Sequence, residues 1–220
     1  MKVAILGSQG VPAQYGGFET LVENIIDENC STDIQYTVFC SGKDFTEKLQ
    51  TYKGAALKYI PFSANGMQST IYDIISLTKV LKGYDAVLLL GTSGGIALPL
   101  FRLFSRTKLI THIDGLEHQR SKWSLFAKGL LRLSESLAVK YGDVVIADNK
   151  GIQDYVSKEY GKNTELIAYG GDHVLRDTTD LQQQKVLEQY NLTPDTYSFK
   201  ISRIEPENNC KMILDAFVKA

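Results

Sequence analysis

Cysteine is scarce in this chain. It has three in 220 residues, Cys30, Cys40 and Cys210, an odd number with no C-x-x-C spacing. That argues against a disulfide framework and a zinc cluster, and fits reduced thiols in a cytoplasmic protein. Neither charge sign dominates: 24 Lys and Arg stand against 25 Asp and Glu, for a net charge of −1. The basic excess of a nucleic-acid binder is missing, so nucleic acid is not an expected partner. No apolar run approaches the roughly 20 residues of a membrane-spanning helix; the longest lie around Ala86–Leu90 and Ile96–Leu103. The first apolar run, Val3–Leu6, stops at Gly7 without the basic-then-apolar pattern of a targeting signal. A cytoplasmic protein is expected, peripheral to the membrane at most.

Several chemical signatures are also missing. Glycines at 7, 10, 16 and 17 do not spell G-x-G-x-x-G, and the second strand ends in FCSGK without an acidic residue, which weakens a dinucleotide reading. There is no G-x-x-x-x-G-K-[ST] phosphate loop, no Asp-x-Asp and no H-E-x-x-H. Neither a metal nor a cofactor is expected.

What the chain does have is alternation. Short Val/Ile/Leu runs are expected as strands at Val3–Gly7, Ile34–Cys40, Ala56–Phe62, Asp85–Gly91, Lys108–Asp114, Asp143–Asp148 and Glu165–Gly170. Amphipathic segments between them predict helices over Phe18–Asn29, Ser69–Leu81, Ile96–Phe104, Lys122–Lys140 and Lys150–Tyr160. Continuous apolar strands followed by helices imply a parallel sheet covered on both faces, a doubly wound α/β domain. RDTTDLQQQ (176–184) is polar and has no apolar stripe, so it reads as a linker or loose loop. TYSFKIS (196–202) then reads as a new strand and Cys210–Lys219 as a helix. The expected organisation is a Rossmann-like domain over 1–175, a linker over 176–195, and the start of a second, truncated domain over 196–220. The alternative is that the last unit completes the first sheet.

Ligands of open parallel sheets bind beyond the carboxyl ends of the strands. Five polar loops fall there: GSQGVPAQYGG (7–17), GTSGG (91–95), IDGLEHQR (113–120), ADNKG (147–151) and YGGDH (169–173). Gly16 and Gly17 precede a helix, where free backbone N–H groups attract phosphate; a turn needing positive φ would explain them equally well. His112 and Asp114 are two apart on a strand end and share a face, placed to orient or deprotonate a hydroxyl. From Pro99 to Lys140, eight Lys and Arg face three acids with aromatic residues between them. That suits either an anionic lipid surface or two ordinary amphipathic helices.

YGGFET (15–20), DGLEHQRSKW (114–123), ADNKGIQDYV (147–156), YGGDH (169–173) and RIEPENN (203–209) occur in an order that resembles bacterial cell-surface-polysaccharide glycosyltransferases. The likeness is to the N-terminal half of the rhamnosyltransferase-like branch of glycosyltransferase family 4. The resemblance implies a GT-B enzyme of two Rossmann-like domains, metal-independent and retaining, with the acceptor held mainly by the N-terminal domain. It implies a nucleotide-diphosphate sugar (dTDP-, UDP- or GDP-linked) as donor and a lipid-linked saccharide as acceptor. Carried over by motif, Gly16, Gly17 and Arg203 meet the donor diphosphate. Asp114, with His112, orients the acceptor hydroxyl, while Gly115, Glu117, His118 and Arg120 form the acceptor-side loop. His112 and His118 stand where the family commonly has Asn and Trp. The family's C-terminal Glu-x7-Glu motif is not in these residues, so the fragment alone is not expected to transfer sugar. Two readings of other classes remain at this point: a nucleotide-sugar epimerase of the same architecture, and a non-catalytic α/β binding module.

Overall fold

The computed structural model describes residues 1–29, 33–171, 180–202, 204 and 206–219. They divide into two compact units, 1–169 and 170–220. The first unit holds eight strands: β1 (Lys2–Leu6), β2 (Gln35–Ser41), β3 (Thr51–Tyr52), β4 (Ala55–Ile60), β5 (Ala86–Leu90), β6 (Lys108–Ile113), β7 (Val144–Ala147) and β8 (Glu165–Leu166). Its helices are α1 (Gly17–Asp27), α2 (Ser69–Lys79), α3 (Leu98–Phe104), α4 (Leu125–Tyr141) and α5 (Lys150–Tyr160). The strands form one sheet in the order β3-β4-β2-β1-β5-β6-β7-β8, parallel throughout except for β3. This is the doubly wound α/β architecture expected from the alternation of strand and helix patterns.

Side-chain alternation explains the two-sided core. Ala4 and Leu6 of β1 pack with Val87 and Leu89 of β5 beneath Tyr72 and Leu77 of α2 and Phe101 of α3. Ile5, Val38 and Leu90 face the other way, against Val22 and Ile26 of α1. Successive strand residues point to opposite faces, so each apolar run feeds both layers. A third cluster joins Ile113 of β6 and Val145 and Ala147 of β7 to Val139 of α4 and Ile152 and Val156 of α5.

Most element boundaries fall within two residues of expectation, and the exceptions have local causes. α4 begins at Leu125 and not at Lys122, because Ser124 caps it: its Oγ accepts the Ala127 N–H at 3.3 Å. β8 ends at Leu166 and not at Gly170, because its neighbour β7 ends at Ala147, opposite Leu166. The Ile167 N–H still reaches the Ala147 carbonyl at 2.9 Å, and residues beyond it have left the ladder. β3 is an addition: Lys53 and Gly54, both at positive φ, turn the chain back so that Thr51 and Tyr52 pair with β4.

The second unit holds α6 (Asp180–Tyr190) and α7 (Cys210–Lys219). The stretch read as a linker is therefore helical over much of its length. Tyr197, Phe199 and Ile201 are exposed, and 196–202 is not a strand. A β pattern needs a neighbouring strand to pair with, and among the described residues none lies beside it.

Candidate functional site

The chain runs outward from β1 in both directions, to β2 and β4 on one side and to β5, β6 and β7 on the other. The reversal lies between β1 and β5; in open α/β sheets such a reversal is where the loops leaving adjacent strands part and leave a crevice at their carboxyl ends. The loops after β1 and β5 border that crevice, and those after β6, β7 and β8 continue along the same edge. The residues of these polar loops that lie within the first unit, Tyr169 of the last among them, thus share one rim.

The loop after β1 is held by carboxylates of the helix that follows it. Glu19 Oε1 accepts the Gln9 N–H at 2.7 Å, and Glu23 Oε2 accepts the Ala13 N–H at 2.8 Å. Glu19 and Glu23 are one turn apart, so α1 grips the loop along one face. Tyr52 and Lys53 of the β3 hairpin hold Glu23 from the far side. Gly16 is the N-cap of α1, with φ 124° and ψ 152°. A Cβ there would fall 2.0 Å from Glu19 Oε2, so the glycine is required by the carboxylate that folds back over the helix start. Glu19 is only 7% exposed. An acid three residues after an N-cap, as here, is a sequence signal for such a return. Gly17 remains open on its Cβ side.

His112 lies at the end of β6, paired in register with Leu90 and Ile146, and is 4% exposed. Its ring meets the Phe18 ring edge-on at 5.5 Å and the Tyr169 ring at 5.9 Å. Nδ1 is buried without a hydrogen-bond partner. Burial pushes the His112 pKa down to about 4, so the imidazole is neutral near pH 7. Asp114, two residues on, is exposed. Desolvation by the surrounding loops, then the neighbouring carboxylates of Asp148 and Glu117, lift its carboxyl to about 6. Asp148, at the end of β7, is also raised by desolvation. The Tyr169 phenol is raised by burial, then by the charges of Asp114, Asp148 and Glu19. Residues from the ends of β6, β7 and β8 and the start of α1 therefore converge, with His112 and Tyr169 at their centre.

The loop after β6 largely satisfies itself. Glu117 accepts hydrogen bonds from Arg120 at 2.8 Å and from the Trp123 indole at 3.3 Å, with the Lys122 ammonium 3.6 Å away. Burial works to raise Glu117, but these partners hold it below the usual carboxylate range. His118 turns inward: its Nδ1 lies 3.2 Å from Glu135 Oε2 on α4. Glu135 is 1% exposed and also accepts from the Tyr155 and Tyr160 hydroxyls at 2.8 and 2.7 Å. Of the acceptor-loop candidates, His118 thus anchors the loop to α4 and α5, and Glu117 and Arg120 brace one another. Gly115 has open space around it.

The loop after β5 is clamped between two helices. Ser134 of α4 donates to the Thr92 carbonyl at 2.6 Å and accepts the Ile96 N–H at 3.0 Å. A Cβ at Gly95 would fall 1.9 Å from the Ser134 carbonyl oxygen, so the close approach of α4 needs a glycine there. On the other side, Asp73 of α2 accepts a hydrogen bond from Ser93. Asp73 is fully enclosed and its Oδ1 has no partner. Desolvation pushes its pKa up to about 7 against the Ser93 and Gly94 hydrogen bonds. Nothing in its sequence neighbourhood signals this buried acid.

The basic, aromatic stretch resolves into two parts. Phe101 is core, and Arg102 is half-buried, bonded to the Tyr141 carbonyl at 2.7 Å and to Asp143 at 2.7 Å. On α4, by contrast, Phe126, Leu130 and Leu133 form an exposed stripe, and Leu125 and Phe126 are 89% and 85% exposed. Lys122 and Arg132 flank it, Arg132 paired with Glu159 at 3.2 Å. Among the described residues, no helix is long and apolar enough to cross a membrane, and no three His, Cys, Asp or Glu side chains are grouped to hold a metal ion. Arg203, and Asp172 and His173 of the YGGDH motif, lie outside the described residues.

Residues 1–172 match the family model of a domain of unknown function, DUF1972. The chain belongs to that family. A search of curated proteins finds no match for this DUF1972 chain. Among solved structures it is similar to Anabaena HepE in complex with UDP and glucose, with TM-score 0.70 and 18% identity over 100% of this chain and 58% of that one. It is also similar to sucrose-phosphate synthase from Thermosynechococcus elongatus, with TM-score 0.63 and 16% identity over 88% of this chain and 53% of that one. At such identities the likeness is one of fold. The DUF1972 chain spans a little over half the length of these two neighbours.

Proposed function

We propose that this DUF1972 chain is the acceptor-side half of a GT-B glycosyltransferase. The enzyme would move a sugar, rhamnose by resemblance, from a nucleotide diphosphate to a lipid-linked saccharide of the cell surface, with retention and without a metal. The observation that carries the reading is the rim itself. Polar loops gather at the carboxyl edge of a doubly wound sheet, in a fold shared with a protein whose structure holds UDP and glucose.

In this reading the bond from the sugar's anomeric carbon to the diphosphate oxygen breaks as a new one forms, on the same face, to an acceptor hydroxyl, whose proton passes to the leaving diphosphate. Asp114 orients that hydroxyl, and neutral His112 offers it a second polar contact. The Gly17 end of α1 and Arg203 stabilise charge gathering on the leaving diphosphate. Because Glu19 folds over Gly16, the diphosphate contact falls to Gly17. The exposed α4 stripe with Lys122, Lys128 and Arg132 rests on anionic lipid. α4 follows the loop after β6, so that contact brings the lipid-linked acceptor toward the rim.

The test is sugar transfer by the longer natural protein with dTDP-, UDP- and GDP-sugars and lipid-linked acceptors. Nucleotide release dependent on acceptor is expected with one donor, reduced by roughly 100-fold or more in Asp114→Asn. No release with any donor would sink the reading.

A further inference from the structure

Resting on the glycosyltransferase reading, we propose that the recess around His112 and Tyr169 binds one uncharged sugar unit of the acceptor, and that its carboxylates turn away acidic sugars such as uronic acids. The recess is built from Phe18, Glu19, His112, Asp114, Asp148 and Tyr169, drawn from α1 and the ends of β6, β7 and β8.

Among the described residues, the charge acting on Tyr169 has one sign. The charged groups acting on the Tyr169 phenol are Asp114, Asp148 and Glu19, with no cation among them. Arg120 acts on Asp114 but is bonded to Glu117. Carboxylates are acceptors only, and hydroxyl groups are the donors that suit them without adding charge. These acids do not form a metal-binding group. They come from separate elements, an arrangement that fits several hydroxyls of one ring better than one cation. An anionic sugar would face like charges in a partly desolvated recess, and that repulsion discriminates more sharply than any single attractive contact.

The second observation is His112. It is 4% exposed, and its side chain accepts and donates no hydrogen bond, with Nδ1 enclosed without a partner. A buried imidazole with nothing to bond is costly, and a polar ligand arriving beside it recovers that cost. Glu19 is in a similar position. One oxygen is used by the Gln9 N–H, while the other accepts no hydrogen bond. Tyr169 is half-exposed and supplies a ring against which the apolar face of a sugar can lie.

The experiment uses the 220-residue chain and two probes, methyl β-D-glucopyranoside and methyl β-D-glucuronopyranoside, followed by NMR chemical-shift titration. The glucoside should perturb the Glu19, His112 and Asp148 amides, and the glucuronide should bind at least about tenfold more weakly. Glu19→Gln combined with Asp148→Asn should narrow that gap to within about twofold; the glutamine amide of the first substitution still offers an oxygen to the Gln9 N–H. Equal binding of both probes by the parent chain would overturn the proposal. So would an unchanged gap in the double variant, shifts confined to another surface, or no binding of either probe. Sugar transfer by the longer protein alongside any of these failures would leave the glycosyltransferase reading standing. Selective glucoside binding here with no nucleotide release by the longer protein would do the reverse.

Discussion

Glu19 holds Gln9: the carboxylate at the third position of α1 accepts the backbone N–H of the loop that precedes the helix, at 2.7 Å. The same carboxylate covers the N-cap Gly16, so loop and helix start form one unit. Removing the side chain strands a buried N–H beside the crevice. Glu19→Ala should therefore lower stability by about 1.5–3 kcal/mol, and Glu19→Gln, which keeps an acceptor, by less than half of that. Urea denaturation of the three proteins measures both. Equal losses in Ala and Gln would mean that charge, and not the Gln9 bond, is what matters.

Two glycines on neighbouring elements should respond in opposite directions. Gly95 has no room for a Cβ against the Ser134 carbonyl, so Gly95→Ala must push α4 away and should cost about 1–3 kcal/mol. Gly129 lies within α4 with open space around it. Gly129→Ala should stabilise by about 0.5–1 kcal/mol through the lost freedom of the unfolded chain. Thermal melts of the pair give the signs directly.

Asp73 makes stability fall as pH rises. Its folded pKa, about 7, lies above its ordinary value of 3.8. Between these two values the folded chain holds the proton and the unfolded chain does not. The contribution is thus present at low pH and lost as pH climbs through about 7. His112 acts in the opposite sense between about 4 and 6.5, where the unfolded chain binds the extra proton. The parent should therefore lose stability relative to Asp73→Asn from pH 4 to 7, by at most about 1.4 kcal/mol per pH unit. Urea midpoints across pH 4–8 test this, and parallel curves for parent and variant would refute it.

The α4 stripe should matter for lipid and not for folding. Leu125→Ser with Phe126→Ser removes two side chains that are almost wholly exposed. Each contributes about 1.5–3 kcal/mol if buried in a bilayer interface, so vesicle binding should drop more than tenfold with the melting temperature unchanged. Sedimentation with vesicles containing phosphatidylglycerol checks it. If the parent chain does not sediment with them, the stripe does not dock on anionic lipid.

The strands of the core were legible because their residues decide locally. VAIL, VFC and VLLL are apolar without a break, which only a strand covered on both faces can use. The segment 196–202 carries a similar pattern, yet it is not a strand among the described residues, since pattern alone supplies no partner. His112 and Asp114 were visible as a pair two residues apart on a strand end. Asp73 and Tyr169 were not, because each works through elements distant in sequence. Tyr169 meets a ring 57 residues away, and Asp73 bonds a serine 20 residues on.

By itself, the sequence determined the parallel α/β architecture and the gathering of polar loops on one edge, because burial periodicity and strand–helix alternation are local properties that leave few topologies open. Only the tertiary structure decided what each loop residue does. It turned His118 inward to Glu135, closed Glu117 on Arg120 and left His112 unpartnered among acids. Hydrogen bonding and desolvation depend on which elements come to lie side by side, and that is settled only when the sheet assembles.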